Sequence, residues 1–227
     1  MAQWRPALGH DRPYENTGKI VSFTPYFEWG LGLPCSNFFS RFLYYYGIQL
    51  HHFTPNSFVH LSIFVHLCEA FLGIESHFEF FHRLFHLKPQ PNSTKLDVVG
   101  GVGIQLRQGM DKKYIPYKLS GKVIDWKQKW FYIGNHGSTL PVIALGPPVV
   151  RPEWKKKPID DSQISDLLGW IADLKQDRIT GEAIVFDWMN RRIQPLQARE
   201  TFGFEFPGGS DPSWYSTKDI SNGEALR

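Results

Sequence analysis

The chain has 227 residues, of which 42% are hydrophobic and 21% charged, so it can bury a real core and is not a disordered protein by composition. Two cysteines, Cys35 and Cys68, are too few for a disulfide framework or a thiolate zinc site. A formal net charge of +3 implies by itself neither a nucleic-acid nor a membrane partner.

Residues 1–22 scatter Pro, Gly and charge without a period and read as a loose tail, with no apolar core of a signal peptide. Order is expected from Phe23. Helical spacing of Phe38, Phe39, Phe42, Leu43 and Tyr46 predicts a first helix over Ser36–Tyr46, opened by Pro34 and Ser36 and stopped by Gly47. Thr54-Pro55 starts a second, to about Leu72, with Leu61, Phe64, Val65, Cys68, Phe71 and Leu72 on one face. Its polar stripe of Ser62, His66 and Glu69 is narrow, so most of the circumference should be buried. Ser76 to Glu79 fits a capping box for a third helix, whose apolar face is Phe78, Phe81, Leu84 and Phe85.

The pattern then changes character, with a Gly-rich run (Gly100, Gly101, Gly103) among β-branched residues. Val98–Leu106, Tyr114–Leu119, Lys122–Trp126 and Trp130–Ile133 read as short strands of a small antiparallel sheet. Gly146-Pro147-Pro148 and Arg151-Pro152 make a stiff connection. Helices return over Asp160–Gln176, with Ile164, Leu167, Leu168, Ile171 and Leu174 as the stripe, and after the Thr180 cap, ending before Pro195. The expected fold is α+β: three aromatic-rich N-terminal helices, a central sheet and two C-terminal helices. Its parts are a tail (1–22), a body (23–206, with helices in 34–88, sheet in 97–133, linker 134–159 and helices in 160–194) and a second tail (207–227).

Candidate chemistry is sparse. Seven of the nine histidines lie between His51 and His86, and Glu79, His82 and His86 would share a helix face as half of a metal site. No second helix offers the complementary ligands, so ordinary buried or solvated histidines are the better reading. Gly100-Gly101-Val102-Gly103 fits neither a dinucleotide nor a P-loop fingerprint and reads as a bend in a strand. Asp97, Asp111, Asp125, Asp160, Asp161 and Glu182 form no recognisable strand-transfer triad, and no nucleophile motif occurs. No enzyme activity and no cofactor is expected.

Charge segregation is the strongest signal. Residues 107–157 hold eleven basic residues against three acidic ones, interleaved with Tyr114, Tyr117, Trp126, Trp130, Tyr132 and Trp154. Single-strand binding surfaces use that mixture, which makes Lys112, Lys113, Lys127, Lys129, Lys155, Lys156 and Lys157 the candidate nucleic-acid contacts. A solvated face whose rings turn into the core outweighs it, since no nucleic-acid-binding signature accompanies the lysines.

Trp29-Gly30-Leu31-Gly32-Leu33-Pro34, Phe38-Phe39, Phe42-Leu43, Gly47 and Leu50-His51-His52 follow one another in a distinctive order. Pro55-Asn56, Cys68 to Ile74 and Phe85 to Lys88 continue it. This order resembles the plant domain family called "transposase (putative) gypsy type", associated with LTR retrotransposons. Gly100-Gly101, Lys129 to Ile133, Thr180-Gly181 and Arg191 to Arg199 extend the resemblance to about Phe23–Asp211. It carries no accepted catalytic residues and implies a retrotransposon-derived assembly or interaction module. The expected partners are a second copy or other element-encoded proteins, with nucleic acid as the alternative and no membrane. An intracellular, nuclear or cytoplasmic, location is expected.

Overall fold

A computed structural model describes residues 4–6, 18–32, 35–90, 96–115, 117–118, 123–135, 140–141, 146–159 and 161–195. The elements, in chain order, are β1 (Trp4–Pro6), β2 (Lys19–Phe23), α1 (Thr24–Glu28), α2 (Asn37–Tyr46) and α3 (Pro55–His66). They continue with α4 (Phe78–Leu84), β3 (Phe85–Pro89), β4 (Val102–Leu106), β5 (Trp130–Gly134), α5 (Ser162–Gln176) and α6 (Gly181–Trp188). Two π-helical turns, Leu67–Phe71 and Met189–Ile193, prolong α3 and α6. The fold is α+β, with small antiparallel sheets among helices.

The chain forms two compact units. The first comprises Met1–Val59, Leu87–Ile104 and Gly121–Lys155, and the second His60–His86, Gln105–Ser120 and Lys156–Arg227.

The first unit is built on a three-stranded sheet in the order β1-β5-β2, with β5 antiparallel to both neighbours. This corrects the reading of residues 1–22 as a loose tail: Trp4–Pro6 pairs with Phe131–Ile133, and Lys19 to Ser22 with Gly134 to Phe131. The tail reading missed β1 because three residues carry no period, and β2 because Ile20, Val21, Ser22 and Phe23 are all buried and do not alternate. α2 behaves as its sequence dictates. Ser36 accepts a hydrogen bond from the Phe39 amide, and Gly47 closes the helix in the left-handed conformation (φ 62°). The backbone conformation is what favours glycine there; a Cβ would also displace the Arg151 guanidinium, the free end of a flexible side chain.

Rings fill this unit's core. Tyr26 stacks on Phe58 with centroids 4.2 Å apart, and its hydroxyl donates to the Phe53 carbonyl at 2.7 Å. Phe23, Phe39, Phe42 and Phe53 surround that pair, offset or edge-on, as ring quadrupoles favour. The segment 134–159 is more than a linker: Pro152–Trp154 forms a 3-10 turn, and the buried Trp154 indole donates to the Tyr46 carbonyl at 3.1 Å. That bond satisfies one of the carbonyls which the last turn of α2 leaves without an intrahelical partner.

In the second unit, Phe64, Phe80, Phe81, Phe85 and Tyr114 form the ring cluster. α4 is capped by His77, whose Nδ1 accepts from the Phe80 amide at 3.2 Å, rather than by Ser76 as the capping-box reading had it. Leu84 ends α4, and Phe85 opens β3 instead of continuing the helix. α5 begins at Ser162 behind an Asp161 cap and buries Ile164, Leu167 and Ile171; α6 starts behind Thr180, as its sequence signals.

The sheet expected over 97–133 differs in two ways. β4 pairs antiparallel with β3, which belongs to the stretch read as helical, and β5 pairs with N-terminal strands. Tyr114, Ile115, Tyr117 and Lys118 are not strand, nor are Val123 to Trp126, where a 3-10 turn begins at Trp126. Pro34, Leu119, Lys122, Asp160 and the 207–227 tail lie outside the described residues.

Candidate functional site

The seven candidate lysines are divided between the two units. Lys127, Lys129 and Lys155 belong to the first unit, and Lys112, Lys113, Lys156 and Lys157 to the second. All seven are exposed. Lys127 is matched by Asp97, with Nζ and Oδ2 at 2.8 Å, so its charge is locally balanced.

The interleaved rings have gone the other way. Tyr114, Trp130, Tyr132 and Trp154 are buried, each 5% exposed or less. Trp126 is half-buried, covered by Phe23 edge-on at 4.9 Å and by Tyr26 at 5.8 Å. The Tyr117 hydroxyl meets His60 Nδ1 at 2.8 Å. A stacking platform needs open ring faces, and these rings spend theirs on the core. Arg107, counted with the basic segment, donates to the carbonyls of His82 and Lys156, both at 2.8 Å, and so ties backbone segments of the second unit together.

Lys112 and Lys113 are brought together with cations that sequence reasoning did not associate with them. A cleft of about 390 Å³ in the second unit is lined by Arg83, Lys112, Lys113 and Lys175, with Ser165 and Gly169 among its other walls. Ser165, Gly169 and Ala172 share a side of α5 by their spacing, and their small side chains leave the groove open. Lys175 fixes the adjoining turn, donating to the Lys112 carbonyl at 2.6 Å and to that of Tyr114 at 3.4 Å.

A second constellation lies inside the same unit, at the two π-turns. Glu69 and Arg192 meet at 3.5 Å, and both side chains are almost fully buried. Just before the two turns, His66 Nε2 lies 2.9 Å from Asp187 Oδ2, and Arg191 donates to the other oxygen at 3.0 Å. Burial holds the His66 pKa below its ordinary value, and the hydrogen bond from His66 lowers that of Asp187. The pair is therefore a neutral imidazole donating Nε2–H to a carboxylate. A π-turn is rare and often functional. Here each turn carries one buried charged side chain, Glu69 in one and Arg192 in the other. Burial pushes the Cys68 thiol well up and the Cys35 thiol up to about 12, so neither is an activated thiolate.

The half metal site weighed for Glu79, His82 and His86 finds no helical spacing here. Glu79 and His82 approach within 3.8 Å on α4, but His86 stands on β3, which removes the helical spacing between the two histidines. Among the described residues no group of three or more His, Cys, Asp or Glu side chains could hold a metal ion. His51 and His52 are buried. The His52 Nδ1 accepts from the Gln49 amide at 3.0 Å, and its Nε2 faces the Gly146 carbonyl at 3.1 Å. Gly100 (φ 76°) and Gly101 form a tight bend, where a Cβ on Gly101 would collide with the Asp97 carbonyl.

Among the described residues no helix is long and apolar enough to cross a membrane. No curated protein and no solved structure matches the chain. The family match ends far short of Asp211, so it takes in Glu69 of the buried pair but not Arg192. Residues 20–89 of this chain match the family model described as "Putative gypsy type transposon".

Proposed function

We propose that the chain is a retrotransposon-derived, non-catalytic assembly or interaction module. The observation that carries this reading is the pair of exposed rings on α5 and α6: Trp170 is 46% and Phe186 69% exposed. Among the described residues most large rings are drawn inward, Tyr44 at 54% being the other exposed one, and exposed aromatics are the side chains that interfaces favour. Trp170 is framed on its helix by Asp166 at i−4 and Asp173 at i+3, which suits a partner offering an apolar slot beside cations. The partner is a second copy or another protein of the element, and the location is intracellular.

Sedimentation velocity over a wide concentration series tests this. Association that strengthens with concentration and is lost in Trp170→Ala/Phe186→Ala is the expected result. A monomer at every concentration removes the self-assembly form of the reading. Nucleic-acid binding is the second reading, favoured by the exposure of all seven candidate lysines.

A further inference from the structure

We propose that the chain associates head to tail, the exposed side of α5 in one copy receiving residues 156–159 of the next. The proposal rests on the assembly reading and assigns the two surfaces that meet. Asp166, Trp170, Asp173 and Asp177 recur at i, i+4, i+7 and i+11, so at 100° per residue they fall within about 60° of the helix circumference. All four are exposed. Among the described residues none of the three carboxylates has an ion-pair partner. This arrangement works against the helix. Asp173 and Asp177 stand at its C-terminal end, where the dipole disfavours anions, and they repel each other at i, i+4. A cationic partner relieves both effects.

The same chain carries the complement. Lys156 and Lys157 are exposed, and Ile159 beside them is 90% exposed. Arg107 donates to the Lys156 carbonyl at 2.8 Å, which anchors the start of this segment, and Pro158 biases Lys157 toward extended backbone. When extended, the three steps from Lys156 to Ile159 cover about 10 Å. The seven helical steps from Trp170 to Asp177 also cover about 10 Å. Ile159 then rests on the Trp170 ring while the two lysines reach Asp173 and Asp177, an apolar contact rimmed by charge. Neither lysine pairs with these acids within its own chain, which leaves the contact to a second copy. Pairing α5 with α5 would instead set carboxylates against carboxylates. Exposed charge pairs are individually weak, so the ring supplies the affinity and the charges decide which surfaces meet. Because the two surfaces differ, each copy offers one of each, and association runs on beyond a dimer.

The test is sedimentation velocity of the nuclease-treated full chain and its charge variants at low and high salt. Species larger than a dimer, growing with concentration and receding at high salt, are expected of the wild type. Asp173→Lys/Asp177→Lys and Lys156→Ala/Lys157→Ala should each sediment as monomers. Their equimolar mixture should give a dimer and nothing larger, since one intact α5 face and one intact basic segment remain to meet. Trp170→Ala and Ile159→Ala should each weaken wild-type association roughly tenfold. Oligomers that survive both charge variants would overturn the head-to-tail contact and leave the assembly reading standing. A mixture that stays monomeric would overturn the pairing of these two surfaces. Oligomers that vanish on nuclease treatment would overturn it too, with nucleic acid as the bridge between copies. A wild type monomeric at every concentration removes the self-assembly reading and this contact together.

Discussion

The buried histidines make the sharpest prediction at the level of single residues. Burial lowers the His51 pKa to about 3, with the neighbouring His52 charge adding to the effect, and burial lowers His52 to about 4. Both rings are neutral in the folded chain, whereas in the unfolded chain each takes a proton near 6.5. Their contribution to stability is therefore fully present above pH 6.5 and is lost as the pH falls toward 4. At pH 5 each should cost roughly 2 kcal/mol, from 1.5 pH units at 1.36 kcal/mol per unit. Urea unfolding at pH 7 and pH 5 measures this. His51→Leu should reduce the loss, because the buried His51 Nε2 has no hydrogen-bond partner among the described residues. An unchanged pH slope in that variant would show that the ring is hydrated in the folded state. The two histidines were visible as part of a cluster in the sequence, but their neutrality was not. It follows from burial on all sides, which no local pattern reports.

At the scale of elements, the π-turns join two distant stretches of chain through Glu69 and Arg192. Removing one member of a buried ion pair strands the other in low dielectric, so Glu69→Ala should destabilise the chain by about 3–5 kcal/mol. The double replacement Glu69→Leu/Arg192→Met should cost much less, because it removes both desolvated charges. Denaturant midpoints of the three proteins decide it, and a single-variant loss below about 1 kcal/mol would mean that water reaches the pair. Helix starts and stops were legible where one side chain does the work: Ser36, Gly47, Thr54-Pro55 and Thr180 each act through their own backbone chemistry. The burial expected for most of the second helix's circumference is also found, with Ser57, Ser62, His66 and Glu69 all buried along α3 and its π-turn. Strands fared worse. β2 and β5 pair across more than a hundred residues, and neither alternates cleanly enough to declare its partner.

For the whole molecule, the issue is how charge and rings are shared out. The basic segment 107–157 supplies exposed lysines and buried aromatics. If it meets nucleic acid, the contact is therefore electrostatic. Affinity should fall steeply with salt, and single strands should gain no advantage over duplex, since base stacking is not offered. Fluorescence anisotropy across a salt series reads both. A marked single-strand preference would require rings other than the buried ones to engage bases. Replacing Lys155, Lys156 and Lys157 together should shallow the salt slope.

By itself the sequence determined the α+β character, the helix caps, the ring-rich core and the resemblance to a gypsy-type transposon family. These rest on local chemistry and motif order, which a linear chain displays in full. The cleft was legible only in part. Lys112 and Lys113 were picked out as basic residues, while Arg83, Ser165 and Lys175 reach them from α4 and α5, as much as 63 residues away in sequence for the Lys175 bond to Lys112. Tertiary structure alone decided that convergence, together with the Glu69–Arg192 pair and the inward turn of Trp130 and Trp154. Each depends on which distant segments pack together, and burial, which sets both pKa values and ring exposure, exists only once they have.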